Sequence, residues 1–388
     1  MTIYEQLGMR PVINAAATLT RLGGSLMPPP VLKAINEAAS AFVDLDELQR
    51  RVGERIAALT HNEAAYVSSG AAAGITLAVA ACIAGTDPDR IAAFPYLEGI
   101  DRTEVVVHRR QRNGYDYAAR QTGARLVEID GTVEDLRRAL SPRTACVLWF
   151  AGAHFADGAL PLEVVVPEAH AHAIPVIVDA AAQIPPIANL WHFTRDLGAD
   201  LAIFSGGKGL RGPQPSGLIL GRRDLIEGCR ANGNPNHSIG RPMKVGKEEL
   251  AGLLAAVEWS LAQDEPALLD RYERIVAGWI AGLAGISGVI AERGYPSEAG
   301  QPHSRAIVRL RPPCPWTREA LVAALWEGTP RIAVGTLRDD PEAIALNPQT
   351  LEPGQETTVL AALRALLTTT PETPVERRDE PAIQPTQV

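Results

Sequence analysis

The four cysteines, Cys82, Cys146, Cys229 and Cys314, lie far apart and form no CxxC pair. Neither a zinc knuckle nor a disulfide framework is therefore expected, and a reducing cytoplasm fits best. The basic excess that holds nucleic acid or an anionic membrane is missing too. Lys plus Arg number 37 against 45 Asp plus Glu, a net charge of −8, so neither is expected as a partner. No uninterrupted apolar run approaches the ~18 residues of a membrane span. The start "MTIYEQLGMRPVINAAA" also lacks a basic segment followed by a long apolar one, so the chain reads as uncleaved and free of a membrane anchor. The single HxH pair, His170 and His172, falls on a predicted helix, where residues two apart do not share a face, and no metal site is expected. No internal repeat is visible.

What remains is a chain of 388 residues, 46% of them hydrophobic, enough for about two domains. Short apolar runs rich in β-branched residues predict strands at 104–108, 124–129, 144–150, 174–179, 199–204 and 216–221. Helical stretches such as "VEDLRRAL" (133–140) and "PLEVVVPEAHAHA" (161–173) stand between several of them. Alternation of this kind implies an α/β fold, a mainly parallel sheet covered by helices on both sides. A long helix is predicted over 247–263, then a smaller domain with strands at 304–310 and 331–335. The polar, proline-rich end of the chain reads as an extended or disordered tail. The expected division is an N-terminal segment 1–45, a large domain 46–264, a small α+β domain 265–367 and a tail 368–388.

Three features carry chemistry. The run "FSGGKGLRGPQPSG" (204–217) packs five glycines and two prolines around Lys208, directly after a predicted strand. "IPVIVDAAAQ" places Asp179 at another strand end, and ligands in α/β sheets collect at the carboxyl ends of strands. A lysine and an aspartate so placed ordinarily make a salt bridge. The third feature, "YVSSGAAAGITLAVAACIAG" (66–85), runs from a strand through Ser69, Gly70 and Ala71 into an apolar helix, whose free amides and positive dipole end suit a phosphate. A plain Ser-Gly helix cap is the ordinary reading of that stretch. Together the three describe a pyridoxal-phosphate site: the phosphate on the turn, Asp179 on the pyridinium nitrogen, and Lys208 in a Schiff base with the aldehyde carbon. The glycines would then let the backbone approach the cofactor and adopt positive φ, with Pro213 and Pro215 stiffening the exit.

At this point the sequence resembles a known family. "FSGGKGLRGPQPSGLILG", "VDAAAQIPP", "VSSGAAAGI", "NAAATLTRLGGS" and "IGRPMKVGKEE" are together similar to the fold-type I pyridoxal-phosphate enzymes grouped with D-glucosaminate-6-phosphate ammonia-lyase, distant relatives of selenocysteine synthase (L-seryl-tRNA(Sec) selenium transferase). The resemblance runs from about residue 8 to residue 365. It implies a mainly parallel, seven-stranded large-domain sheet and assigns Lys208 and Asp179 as catalytic. Cofactor contacts are implied for Ser69, Gly70, Ala71, Gln183, Ser205 and Gln111. Arg241 and Lys247 match basic residues of an Arg-x-x-x-Val-x-Lys pattern and, with the intervening Lys244, are candidates for an anionic substrate group. The chain departs from the family pattern at Ala17, where glycine is usual, at His61 and Asn62, where Gly-Ala is usual, and at Gln111, where many relatives carry a histidine. His108 or Tyr115 would then supply a ring to stack on the cofactor.

Arg21 and His154 are further substrate candidates, as is Arg331, whose planar guanidinium matches a carboxylate; a structural histidine and surface salt bridges are the ordinary readings. The implied reaction is α-proton abstraction by Lys208 followed by β-elimination, giving a 2-oxo acid and ammonia from an amino acid or amino sugar acid. Racemisation, epimerisation and aldol cleavage use the same lysine, and selenium transfer to a charged tRNA is the rival with a different partner. A homodimer or higher homo-oligomer is implied, because sites of this fold form at subunit boundaries.

Overall fold

The computed structural model describes residues 2–370; most of the proposed tail, residues 371–388, lies outside them. The chain forms two compact units, one from residues up to Gly24 and from Asp264 onward, the other from Ser25 to Gln263. Among the described residues, twelve strands arise in chain order: β1 (Val12–Ala15), β2 (Ala64–Ser68), β3 (Glu104–His108), β4 (Arg125–Ile129), β5 (Thr144–Phe150), β6 (Val176–Asp179), β7 (Leu201–Ser205), β8 (Gly217–Gly221), β9 (Val289–Gly294), β10 (Arg305–Leu310), β11 (Arg331–Thr336) and β12 (Ala343–Leu346).

The Ser25–Gln263 unit is built on a seven-stranded sheet in the order β2-β8-β7-β6-β5-β3-β4. Only β8 is antiparallel to its neighbours, among the described pairs. This is the expected fold-type I α/β sheet. Strands β2, β3, β6 and β8 are buried along their whole length, which is why they read as continuous apolar runs rather than alternating ones. Apolar cores lie against the sheet, one including Phe204, Val178 and Leu253, another including Ile203, Leu148 and Leu77. The helix Ala71–Ala84 is apolar nearly all round and almost wholly buried, the pattern of a core helix rather than a surface one. It lies close on the sheet, since a methyl group on Gly74 would sit 2.8 Å from Ile203 Cγ2.

β2 is an edge strand, and the helix Leu45–Leu59 covers it. Gln49 reaches across so that its Nε2 donates to the Val67 carbonyl at 2.8 Å and its Oε1 accepts the Val67 N–H at 3.2 Å. Just before β7, inside the sheet, Asp200 accepts from the Val176 amide at 2.7 Å, lies 2.9 Å from His170 Nε2 and pairs with Arg222 at 2.5 Å. His170 is thus a structural partner of Asp200.

The other unit carries a five-stranded sheet in the order β1-β11-β12-β10-β9. β1 joins parallel to β11, and the remaining pairs are antiparallel. Helices Glu265–Leu283, Arg318–Glu327 and Gln355–Leu367 bury Trp279, Leu283, Leu321, Leu325 and Leu363 with it. The Trp279 indole N–H donates to the Glu356 carbonyl at 2.9 Å, as a buried tryptophan requires.

Candidate active site

The carboxyl ends of β2, β7 and β6 and the start of β8 meet at one edge of the large sheet. Ser68 pairs with Gly217, Gly217 with Ser205, and Asp179 with Ile203. The β2 turn and the end of β7 are therefore two strand spacings apart, about 10 Å. Gly217 lies between them, and a methyl group there would meet the Gly70 carbonyl carbon at 2.4 Å. Gly70 itself adopts φ 98° and caps the helix Ala71–Ala84 without any side-chain hydrogen bond. The half-buried Ser69, Gly70 and Ala71 thus stand at a helix start whose first amides face outward for an anion.

Asp179 ends β6 and is 7% exposed. Its Oδ1 accepts the Ala181 N–H at 3.0 Å, and no side-chain donor among the described residues binds it. Burial raises the carboxyl above its usual range, opposed by the Ala181 amide and by the charge of the nearby Lys208. Lys208 follows β7 by three residues. Ser205, the last residue of β7, donates its amide to the Ala181 carbonyl at 3.3 Å, and Gln183 is buried with its Nε2 3.3 Å from the Ala151 carbonyl. A buried carboxylate without a side-chain partner, a lysine beside it and an uncapped helix start form a donor set that fits a phosphate-bearing aldehyde with a basic ring nitrogen.

The glycines around Lys208 act differently from the expectation. None of Gly206, Gly207, Gly209 and Gly212 has positive φ; Arg211 takes the left-handed conformation of this loop, at 57°. The glycines are needed because other segments press on them. An added methyl would lie 2.1 Å from Ser216 Oγ at Gly206, 2.5 Å from Gln214 Cα at Gly207 and 2.0 Å from the Ile184 carbonyl oxygen at Gly209.

Gln111, expected at the cofactor, is fully buried. Its Nε2 donates to the Phe150 carbonyl and its Oε1 accepts the Phe150 N–H, both at 3.1 Å, so its amide is spent on the end of β5. His108 is also fully buried, and its Nε2 accepts the Leu160 N–H at 3.1 Å. Tyr115, by contrast, is 43% exposed, and its hydroxyl is pushed above the usual tyrosine range by burial and then by the Asp179 carboxylate. Of the two candidate rings, Tyr115 is the one within electrostatic reach of Asp179.

Burial lowers the His108 ring from 6.5 to about 4, and its Nδ1 has no partner. The unfolded chain takes up this proton below pH 6.5 and the folded protein only near pH 4, so stability falls as pH drops through that window. The effect is up to about 3 kcal/mol at ~1.4 kcal/mol per unit. Urea unfolding at pH 7 and pH 4.5 should show this loss shrinking in His108→Gln; an unchanged pH dependence would refute it.

His154 lies exposed in the turn Ala153–Ala156 after β5, its ring 3.9 Å from that of Phe155. Arg241 and Lys244 are exposed, and Arg241 Nη1 lies 3.3 Å from Asn234 Oδ1. Lys247 Nζ donates to the Ala38 carbonyl at 2.8 Å and to Glu248, which ties it to the start of its own helix. Arg21 and Arg331 belong to the other unit. Burial lowers the Arg21 guanidinium from its usual range. Arg331 stacks 4.6 Å over the Trp326 ring and donates to the Trp326 carbonyl at 2.9 Å. Ser25 escaped the sequence reading: its hydroxyl contacts the carbonyls of Gly207 and Lys208. Ser25 closes the quoted stretch "NAAATLTRLGGS", but nothing in that stretch shows that its hydroxyl reaches a loop 182 residues further on.

The fold and these residues define a fold-type I pyridoxal-phosphate-dependent enzyme. Residues 38–234 match the aminotransferase class-V family, and the chain belongs to that family. A D-glucosaminate-6-phosphate ammonia lyase from Salmonella typhimurium is 36% identical over 80% of this chain and 81% of its own. A 5'-C-glycyluridine monooxygenase-decarboxylase from a Streptomyces species is 33% identical over 94% and 92%. A solved structure of D-glucosaminate-6-phosphate ammonia-lyase superposes with a TM-score of 0.81 at 32% identity, covering 94% of this chain and 98% of the other. The L-seryl-tRNA(Sec) selenium transferase of Moorella thermoacetica is more distant, 28% identical over 66% of this chain and 57% of its own. The ammonia-lyase likeness supports a pyridoxal-phosphate-dependent lyase over a racemase, an aldolase or a selenium transferase. Among the described residues, no helix is long and apolar enough to cross a membrane.

Proposed function

We propose that the chain is an ammonia-lyase acting on a β-hydroxy amino acid of the amino sugar acid type. The observation that carries this reading is the convergence of Lys208, Asp179 and the Ser69–Ala71 turn, in a chain that superposes on D-glucosaminate-6-phosphate ammonia-lyase over nearly its whole length. Pyridoxal phosphate, when bound, supplies an electron sink for the charge left at the substrate α-carbon. Ser69, Gly70, Ala71 and Ser205 would hold its phosphate, Asp179 would pair with its ring nitrogen, and Gln183 and Tyr115 would border its ring. Lys208 Nζ takes the proton from the substrate α-carbon. The β-carbon to hydroxyl bond then breaks with the hydroxide leaving as water, and hydrolysis of the resulting enamine returns that water and gives a 2-oxo-3-deoxy acid and ammonia. Of the basic candidates in this unit, Arg241 and Lys244 are exposed, whereas Lys247 is bonded to Ala38 and Glu248; Arg241 and Lys244 would meet an anionic substrate group.

The protein acts as a homo-oligomer in the cytoplasm. The fully exposed Phe42, with Val43 and Leu32 exposed nearby in sequence, makes an apolar surface suited to a second copy, and the cysteines of the described residues are all free thiols.

A second reading follows from the monooxygenase-decarboxylase relative, which matches a longer stretch of the chain: oxidation at the same α-carbon by dioxygen with loss of carbon dioxide. Proton NMR in deuterated water, with the cofactor-loaded protein and D-glucosaminate, its 6-phosphate and a panel of D- and L-β-hydroxy amino acids, separates the two. A 2-oxo-3-deoxy acid with ammonia supports the lyase. Carbon dioxide release with oxygen uptake supports the second reading. Exchange of the α-proton with inversion and no elimination sinks both.

A further inference from the structure

The Ser25 hydroxyl lies 2.9 Å from the Gly207 carbonyl oxygen and 2.8 Å from that of Lys208. The Lys208 carbonyl also closes a turn, accepting the Arg211 N–H at 3.0 Å. Gly207 is buried, so its carbonyl is poorly placed to turn to water, and Ser25 supplies it with a donor. One residue further on, the Leu26 carbonyl accepts Arg211 Nε at 2.7 Å. Residues 25 and 26 therefore hold the lysine turn both at Lys208 and at the strained Arg211.

The turn has reason to need an outside tie. Gly206, Gly207 and Gly209 surround Lys208, and glycine leaves a backbone the widest choice of φ and ψ. A small rotation of the Gly207–Lys208 peptide is magnified along the four-carbon lysine stem, and misplacing a reacting atom by ~1 Å can cost ~100-fold in rate. Gly23 and Gly24 adopt φ 89° and 74°, and the boundary between the two compact units falls directly after Gly24. Ser25 is the first residue beyond that glycine pair.

We propose that Ser25 is a positioning residue for Lys208. Its hydroxyl fixes the peptide from which the reactive amine projects. The proposal rests on Lys208 being the cofactor lysine, which is tested separately: borohydride reduction of the loaded wild-type protein, followed by peptide mapping, must place the label on Lys208. A label elsewhere sinks that reading. A label on Lys208 leaves the positioning role to be judged by the variants.

The variants are Ser25→Ala and Ser25→Thr. Amide hydrogen exchange in the cofactor-free protein should quicken about tenfold or more over residues 205–212 in Ser25→Ala, with the rest of the large unit unchanged, because opening of the turn no longer breaks the hydroxyl's hydrogen bonds. The pH at which the visible absorption of the loaded protein changes should shift, and kcat should fall about 10- to 100-fold with KM within about threefold of wild type. Ser25→Thr, which keeps the hydroxyl, should restore all three. Unchanged exchange and absorption in Ser25→Ala, faster exchange spread evenly through the unit, or a threonine variant that behaves as alanine would each overturn the proposal. If Ser25→Ala does not fold, Ser25→Cys, a weaker donor of similar size, takes its place with the same criteria.

Discussion

Lys208→Ala should lose turnover by ~10⁴-fold or more while its thermal unfolding stays within a few degrees of wild type. The two halves of that expectation have different sources. Activity goes because the amine that moves the α-proton is removed, and no other lysine follows a strand end beside Asp179 in the described large unit. Stability stays because the fold of the loop rests on its backbone: Gly206 donates to the Ser216 carbonyl and Gly212 to the Gly206 carbonyl, both at 2.8 Å, and alanine keeps these bonds. Lys208→Arg, which restores charge without a usable amine, should be as inactive as alanine. Steady-state assay alongside calorimetry checks both halves, and an active Lys208→Arg would end the assignment of Lys208.

Asp179→Asn should lower kcat about 10³-fold and yet make the cofactor-free protein more stable at neutral pH. Its carboxyl is raised above its ordinary 3.8 chiefly by burial. Above that value the folded protein therefore binds more protons than the unfolded chain, so stability falls as pH rises from there through the raised folded pKa. Asparagine has the same outline and removes the buried charge that creates this loss. The same replacement removes the fixed negative charge facing the cofactor's ring nitrogen, where a low-dielectric setting makes charge most effective. Opposite changes in activity and in melting temperature mark a residue kept for function at the expense of stability. A variant that lost both would instead identify Asp179 as a structural residue.

Strands β3 and β5 to β8 were legible because each is a short apolar run buried along nearly its whole length, β4 is a half-exposed edge strand with a similar run, and the structure places the ends of all six within a couple of residues of the pattern. β1 was not. "VINA" is four residues long and half-buried at most of them, and its partner β11 lies at the far end of the chain, which no local pattern reports. Lys208 and Asp179 could be read because a strand end is a sequence-visible place. Lys247 and Arg331 illustrate the converse: a sequence shows their charge, but the Ala38 carbonyl and the Trp326 ring that occupy them are set by packing.

Two of the departures from the family pattern sit at positions of unusual backbone geometry. Ala17 and His61, both where glycine is usual, have φ of 70° and 56°. Each holds a left-handed conformation that costs a side-chain-bearing residue about 1 kcal/mol. Asn14 offsets the strain at Ala17 by donating to its carbonyl at 2.8 Å. The glycines expected to be left-handed around Lys208 are not, and residues that stand in for glycine elsewhere are. Composition shows where glycine occurs, whereas the φ each position demands is fixed by the segments around it.

Gln49 bears on a property unrelated to turnover. By offering Val67 both a carbonyl and an amide, its side chain imitates the neighbouring strand that β2 lacks, and the free border of a sheet is where foreign chains add themselves and fibrils begin. The strand that delivers the anion-binding turn is thereby closed to β-addition from outside, and a crowded cell meets this end of the sheet as a sealed surface.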